Sequence, residues 1–294
     1  MSDLTWGIAG GLGTGIVWAT ISTLVRSLSG TLSPVQITAL RSTVGGVVLL
    51  FVTILVGETR TLLDSPLWAV LLLWMSILIA MGVGDSAFFA SMDYLGVTRA
   101  LTLGMANPLL TTLVGILLLG ETMTIPRASG IFLVVGGIAL IVSGRDDQVA
   151  NLRTPSRRGL RLVFLAATAW ALSAIMIKAP LQVMPAVAAT TLRFPAVAVV
   201  LWCSPWTRGT TQVLAAMTRA DKTALAAVCL LSGFGSLLFM IGIKYGGVAI
   251  GNVLSSTSPL FTLPYELWVL KQPISRRSIV GALASVLGIG LMHF

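Results

Sequence analysis

The chain has 294 residues, of which 56% are hydrophobic and only 10% charged, and its mean hydropathy is +0.95. Roughly a quarter of the residues of a soluble domain are charged, so this composition excludes an ordinary water-soluble protein and predicts an all-α integral membrane protein. The formal net charge of +9 comes from basic residues scattered between apolar segments and concentrated at their ends. That distribution is typical of membrane helices and argues against nucleic acid as a partner.

Ten apolar segments follow one another between charged or Pro/Gly-rich joints. About 20 residues span the hydrocarbon core as a helix, so ten transmembrane helices are expected. The third and eighth segments are long enough to be tilted or kinked, near Gly82 and Gly84 and near Gly233 and Gly235 respectively. The segments cover residues 5–26, 34–56, 66–94, 98–119, 127–143, 159–179, 185–203, 221–245, 249–270 and 277–293.

The chain divides into two similar halves, residues 1–144 and 159–294, joined by an exposed linker of soluble composition at 145–158. Residues of the first half recur in the second 151 or 152 positions later, in the same order. An odd number of helices in each half means that the second half enters the membrane from the opposite side, so two inverted five-helix repeats are expected. The matched pairs include Trp18 and Trp170, Arg26 and Lys178, Arg41 and Arg193, Phe88 and Phe239, Tyr94 and Tyr245, and Pro108 and Pro259.

These residues resemble the EamA branch of the drug/metabolite transporter superfamily over nearly the whole chain. The similarity is carried by the two Trp-Ala pairs at 18–19 and 170–171, the Leu-Arg pairs at 40–41 and 192–193, the Asn-Pro and Ser-Pro centres at 107–108 and 258–259, and Gly-Glu at 120–121. The resemblance implies a ten-helix exporter of small metabolites in the cell membrane, without a bound cofactor. One departure is that Lys271-Gln272 stands where the family usually repeats its Gly-Glu.

Four charged residues lie within apolar segments: Arg41, Asp85, Arg193 and Glu266. Each costs about 2.5 to 3.5 kcal/mol to insert at a helix centre, so they are expected to face the interior of the bundle. The arginines either contact an anionic substrate or serve the structure alone. Asp85 and Glu266 correspond to the uncharged Ser236 and Gly115. They are candidates for proton coupling, and the alternative is a buried ion pair with Arg41 or Arg193.

Pro108, Pro259 and Pro264 interrupt helical hydrogen bonding, which a membrane tolerates only beside protein or a watery cavity. We therefore expect a substrate cavity near these prolines. Neighbouring polar residues would supply hydrogen bonds to the substrate or to other helices, and two central tryptophans would form wall or packing. The expected lining residues are Trp18, Arg41, Asp85, Asn107, Thr111, Trp170, Arg193, Asn252, Ser256 and Ser258.

Small residues recur at intervals of four at Gly7, Gly11 and Gly15 and again at Gly242 and Gly246. Such faces allow helices to approach closely, either within the monomer or in a homodimer. Elsewhere, the spacing of Cys203 and Cys229 gives no metal site, and no zinc-protease, diphosphate-metal or nucleophile–histidine motif indicates an enzyme.

A secondary transporter exporting amino acids, related metabolites or amphipathic drugs is the first functional hypothesis. The same scaffold could carry sugar nucleotides, lipid-linked sugars or cations, and a channel is a further alternative. Partners are accordingly a small-molecule substrate and membrane lipid. Basic residues favour the odd-numbered connections as cytoplasmic, whereas the resemblance implies that the termini are cytoplasmic.

Overall fold

The computed structural model describes residues 2–28, 30–95, 97–143, 156–268 and 275–293, except for the side chains at 26, 89, 92, 93, 97–99, 101 and 265–268. The regular elements in this part of the chain are all helices. They are α1 (Asp3–Leu28), α2 (Pro34–Leu55), α3 (Thr59–Leu63), α4 (Leu67–Leu78), a π-helical segment (Ile79–Asp85), α5 (Ser86–Leu95), α6 (Val97–Gly104), α7 (Ala106–Leu119), α8 (Ile125–Ser143), α9 (Arg157–Val183), α10 (Ala186–Trp202), a 3-10 turn (Pro205–Thr207), α11 (Thr210–Ala216), α12 (Arg219–Ser255), α13 (Ser258–Trp268) and α14 (Arg276–Leu291).

Several helices begin or end on local sequence signals. The Ser33 hydroxyl accepts a hydrogen bond from the Gln36 N–H (3.3 Å), and the Gln36 side chain accepts one from the Ser33 N–H (3.0 Å), with Pro34 opening α2. This capping box satisfies donors that a helix start leaves open. Thr218 similarly caps α12, and Gly120 ends α7 in the left-handed conformation, at φ 63°.

Helix length reproduces only part of the predicted number of spans. Seven described helical stretches are long and apolar enough to cross a membrane, or up to eight if Ala186–Trp202 and Pro205–Ala216, which meet at an 84° bend, form one span. α13 has only 11 residues because the ninth apolar segment is divided between α12 and α13, and α14 has 16 residues. The protein is an all-α, multi-pass membrane protein, and the count of ten stays a prediction.

The chain folds back on itself within α12, at Gly247. Its backbone angles, φ 81° and ψ 169°, are non-helical, and a Cβ added to Gly251 would lie 2.7 Å from the carbonyl carbon of Gly242. A continuous helix would separate Gly242 from Gly251 by about 13 Å. The parts of α12 before and after Gly247 therefore run antiparallel, and the eighth and ninth apolar segments meet at this turn.

The third apolar segment is irregular at the glycines that predict a kink. Between α4 and α5 lies the π-helical segment Ile79–Asp85, which contains Gly82 and Gly84. Such π turns within helices are frequent at functional sites. Gly233 and Gly235, in contrast, lie in regular helix, so a kink at those glycines is a wrong expectation, and the break in α12 comes at Gly247 instead.

α8 and α14 pack through paired glycines. A Cβ on Gly130 would lie 2.5 Å from the carbonyl oxygen of Gly288, and Gly137 lies equally close to Gly281. Residue numbers rise along α8 as they fall along α14, so the two helices are antiparallel. At the offset of 151, Gly130 corresponds to Gly281 and Gly137 to Gly288, which makes each contact the copy of the other.

The small-residue face of α1 packs against α12 within the monomer. Gly7 lies against Gly246, and a Cβ on Gly11 would lie 2.6 Å from the Cβ of Leu254. No side chain larger than hydrogen fits at these crossings. The glycine face that could have served a homodimer is therefore occupied inside the chain, and a dimer remains a prediction for other surfaces.

Buried apolar side chains lie where α4, α9, α10 and α12 meet, with Leu73, Ile177 and Met240 at the centre. Other large apolar side chains, such as Phe51 and Leu118, point outward and are exposed. A protein with lipid as its solvent exposes apolar side chains in this way because lipid tails are themselves apolar.

Candidate substrate cavity

A cavity of about 470 Å³ lies between the two halves of the chain, within the size range of small-molecule sites. Most of the residues that the sequence predicts for a substrate cavity lie on its wall, as do two of the three helix-breaking prolines. They are Trp18, Arg41, Asp85, Asn107, Pro108, Trp170, Arg193, Asn252, Ser256, Ser258 and Pro259.

Two predicted residues with described side chains are not on this wall. Thr111 is buried behind it, and Pro264 is an exposed residue within α13. The side chain of Glu266 lies outside the described residues, so its role in proton coupling stays a prediction.

Asn107, Thr111 and Asn252 form one hydrogen-bonded group between α7 and α12. Asn252 Nδ2 donates to Asn107 Oδ1 (3.2 Å) and to Thr111 Oγ1 (2.8 Å), while Thr111 Oγ1 donates to the Asn107 carbonyl (2.9 Å). The two halves of the chain are thus joined at the cavity by uncharged polar groups. These polar residues thus make the contacts between helices that the sequence offered as the alternative to substrate binding. The contacts fix the amide groups of Asn107 and Asn252 at the wall.

Each central tryptophan packs against a phenylalanine of the other half. The ring centroids of Trp18 and Phe239 are 5.6 Å apart, and those of Phe88 and Trp170 are 5.0 Å apart. The first pair is the copy of the second under the sequence repeat. Both pairs have the tilted geometry that aromatic rings favour, so the cavity has matching aromatic surfaces from the two halves.

Asp85 breaks this symmetry. Its Oδ1 accepts a hydrogen bond of 2.9 Å from Trp170 Nε1. The corresponding residue beside Trp18 is Ser236, which also lies on the wall. Among the residues whose side chains are described, neither Arg41 nor Arg193 lies within 4 Å of the Asp85 carboxylate. Asp85 thus forms no direct salt bridge with either arginine, and a longer-range pairing of its charge with that of Arg41 stays a prediction.

Arg193 is 5% exposed and is held by hydroxyl groups. Its Nε donates to Ser76 Oγ at 3.2 Å, and its Nη2 donates to Ser173 Oγ at 3.0 Å. Ser76 lies on α4 and Ser173 on α9, so three helices fix the guanidinium at the wall. The positive charge has no carboxylate partner within the described part of the chain.

Arg41, the counterpart of Arg193, is half-buried at the same cavity. Among the described residues, no hydrogen-bond acceptor binds its guanidinium. Its charge interacts with that of Asp85 at a distance longer than a salt bridge. The guanidinium of Arg41 is thus available to bind a molecule inside the cavity.

Glu121 joins the two halves at one end of the bundle. Its Oε1 accepts a 2.6 Å hydrogen bond from the Val248 N–H, its Oε2 accepts a 3.1 Å bond from the Ala249 N–H, and Lys178 Nζ lies 3.5 Å from Oε1. These two N–H groups open the helical stretch that follows Gly247. The carboxylate therefore caps a helix start, where negative charge is favourable.

The sequence marks Glu121 as an unmatched residue but not as a cap. Its partners are more than fifty residues away, and no local pattern connects them. The Glu121 carboxylate also fits only because two neighbouring residues are glycines. A Cβ on Gly115 would lie 2.9 Å from Glu121 Oε2, and one on Gly247 would lie 2.7 Å from Oε1.

Two faces of the bundle follow from the described short connections, across which successive long helices alternate in direction. Face 1 carries the start of α1, Glu121 and Gly247, and face 2 carries the ends of α1 and α8 and the start of α9. Ile21 and Ser22 are cavity residues beyond the middle of α1, toward face 2, whereas Ser42 is close to the middle of α2. Along α1 the cavity therefore extends from the middle of the bundle toward face 2, and the Glu121 contacts lie at the opposite face.

Further wall residues were not predicted. Ser22, Ser42, Phe194, Ser232 and Phe239 line the cavity. Ser22 follows Trp18 by four residues, which places it on the same helix face. Ser42 and Phe194 directly follow the two arginines in sequence, and that adjacency is the signal that could have identified them.

Comparison with known proteins agrees with the repeat. The model of the EamA-like transporter family matches residues 5–143 and again 157–294. A solved crystal structure with 18% sequence identity has the same fold, with a TM-score of 0.77 over 97% of this chain and 95% of the other. No curated protein matches. Two family matches that together cover nearly the whole sequence show that the chain belongs to the EamA-like transporter family, within the drug/metabolite transporter superfamily.

Proposed function

We propose that this membrane transporter is a secondary active exporter of small metabolites, such as amino acids and related compounds, in the cell membrane. The observation that carries the proposal is the cavity between the halves, whose wall contains corresponding residues from both repeats, Trp18 with Trp170 and Arg41 with Arg193. A site formed at the interface of two repeats is what alternating access requires, because a movement of one repeat against the other exposes it to each side in turn.

The proposed architecture is ten crossings in two inverted five-helix repeats, 1–144 and 159–294. The reversal at Gly247 supports it, because it divides α12 into two crossings. The antiparallel packing of α8 and α14 also supports it, since these are equivalent helices of the two repeats.

Alternating access then has a physical basis in the two faces. Glu121 and Lys178 tie the repeats together at face 1, while the cavity extends toward face 2. The reverse state would require the Glu121 contacts to break and the face 2 ends to close. In that state the site would exchange substrate with the solution at face 1.

Binding by the purified protein tests the proposal. A thermal-shift screen in detergent against amino acids, sugars, nucleotide sugars and organic cations should give at least one stabilising compound, because a ligand that binds only the folded state raises its apparent stability. Proteoliposomes should then accumulate that compound saturably, with competition by unlabelled compound. Flux that does not saturate would favour a channel, and binding restricted to nucleotide sugars would favour the alternative carrier.

Proton coupling is proposed for Asp85, with Glu266 as the second candidate. An acid whose surroundings change between the two states links proton flow to substrate flow. Asp85 lies on the wall and is held by Trp170, which is suitable for such a role. We expect Asp85→Asn to abolish accumulation driven by a pH gradient but to retain substrate exchange. Accumulation at the wild-type rate in this variant would contradict coupling at Asp85.

A further inference from the structure

The charges on the cavity wall do not cancel. Within the described residues, the wall carries the guanidinium groups of Arg41 and Arg193 and the single carboxylate of Asp85. Asp85 interacts with Arg41. Arg193 remains as a second positive charge, and no carboxylate among the described side chains pairs with it.

The surroundings of Arg193 favour the binding of an anion. Only 5% of the surface of Arg193 is exposed, and both of its hydrogen-bond partners are neutral hydroxyls. Hydroxyls orient a guanidinium but supply no negative charge, and a buried ion without a counter-charge is costly. A purely structural donor at this position would not require a permanent charge.

The geometry of the guanidinium also leaves capacity for a ligand. Two of its N–H groups are used, by Ser76 and Ser173, and a guanidinium has five donors arranged in a planar fork. That fork matches the two oxygens of a carboxylate. Arg193 is held in place by its first two hydrogen bonds, so binding an anion costs little further side-chain entropy.

We propose that the substrate carries a carboxylate or a comparable oxoanion that binds at Arg193, with Arg41 adding to the positive potential, and that cations without an anionic group are not carried. This rests on the proposed function. Asp85 provides a place for a second, positively charged substrate group, so zwitterions fit as well as simple anions. The aromatic surfaces of Trp18 and Trp170 receive an apolar body.

Matched compounds separate the charge requirement from shape. Thermal shift and proteoliposome competition would be measured with leucine, 4-methylpentanoate and 3-methylbutylamine, and with phenylalanine, 3-phenylpropionate and phenethylamine. Each set keeps the apolar body while removing the ammonium or the carboxylate. We expect stabilisation by the zwitterion or the acid, and none by the amine.

Variants identify the group responsible. Arg193→Gln removes the charge, and we expect the dissociation constant for the acid to rise about tenfold or more, the effect of losing a hydrogen bond to a charged group. Arg219→Gln is the control, because Arg219 begins α12 as an exposed residue outside the cavity, and it should bind as the wild type does.

A measurement without any substrate tests the electrostatic potential of the cavity directly. Ser22 lines the cavity and is exposed, so Ser22→Cys, with Cys203 and Cys229 replaced by Ala, can be modified by anionic and cationic methanethiosulfonates. The reference is exposed Cys203 as the one thiol, after Cys229→Ala. We expect the anionic-to-cationic rate ratio to be severalfold higher at Ser22→Cys, and Arg193→Gln to lower it.

The outcomes distinguish the two proposals. Stabilisation or transport of the amines as well as the acids would overturn the anion requirement and leave the transporter proposal standing. Equal rate ratios at the two cysteines would overturn it as well. If no compound from the wider screen is bound or transported, the proposed function fails, and the anion requirement fails with it.

Discussion

Trp18 and Trp170 occupy the same place in the two repeats but differ in one hydrogen bond. Trp170 Nε1 donates to Asp85, whereas Trp18 stands beside Ser236, and no described acceptor binds its indole. Both rings pack on a phenylalanine at similar distances. The polar contact can therefore be separated from the packing by comparing the same change at both positions.

We expect Trp170→Phe to destabilise the protein by about 1 to 3 kcal/mol, because it leaves the Asp85 carboxylate without its donor. Trp18→Phe is the matched control and should cost less, since its indole N–H has no acceptor among the described residues. The measurement is the free energy of unfolding in detergent. Equal losses at the two positions would mean that ring volume, and not the hydrogen bond, determines the cost.

At the scale of helices, face 1 depends on the fit between Glu121 and the turn at Gly247. The carboxylate needs Gly115 and Gly247 to lack side chains, and it caps the helical stretch that begins at Val248. In the second repeat Gln272 replaces Glu121 and Glu266 replaces Gly115. The repeats thus differ at both the capping residue and the residue that makes room for it.

We expect Glu121→Gln to weaken the cap by about 1 to 2 kcal/mol, because the amide keeps an acceptor but loses the negative charge at a helix start. Hydrogen exchange at the Val248 and Ala249 amides should become faster. Asp64→Asn is the control, since Asp64 is exposed after α3. Unchanged exchange at these amides in Glu121→Gln would show that the charge does not hold the turn.

The turn itself is tested by Gly247→Ala. At φ 81° and ψ 169° the backbone lies in a region that is essentially open to glycine alone, and the new Cβ would displace Glu121. We expect a loss of about 1 to 3 kcal/mol from the strain. Gly136→Ala should be neutral or stabilising, because that helical glycine has no neighbour within 4 Å. Equal stability of both variants would contradict the strained turn.

At the scale of the whole molecule, the order of connections fixes which positions share a side. Ser22 lies toward face 2, Cys203 follows α10 at face 2, and Asp64 lies between α2 and α4 at face 1. In sealed vesicles, an impermeant thiol reagent should label Ser22→Cys and Cys203 from one side and Asp64→Cys from the other, each as a single cysteine.

Labelling of Asp64→Cys and Cys203 from the same side would contradict the alternating order of crossings. The side on which Asp64→Cys reacts also gives the side of the termini, for which basic residues and family resemblance give opposite expectations. Protease cleavage near residue 153 of the linker provides an independent reading of the opposite face.

The fold class and most of the cavity wall follow from sequence because they depend on local properties. Apolar length requires membrane helices, and the repeat of Trp18, Arg41 and Pro108 at a constant offset indicates where two halves correspond. The number of spans could not be read from helix length, because the turn at Gly247 occupies one residue and joins two antiparallel helical stretches within α12.

Amino-acid sequence by itself determined that this protein is a repeated membrane transporter and that charge lies within its helices. Only the tertiary structure decided which charges meet: Asp85 binds Trp170 and not an arginine, Arg193 is held by Ser76 and Ser173, and Glu121 caps Val248. The physical reason is that most of these contacts join residues 85 to 127 positions apart. Ser173 and Arg193 are 20 positions apart, on two successive helices. Their formation depends on how the helices cross, which periodicity and composition do not specify.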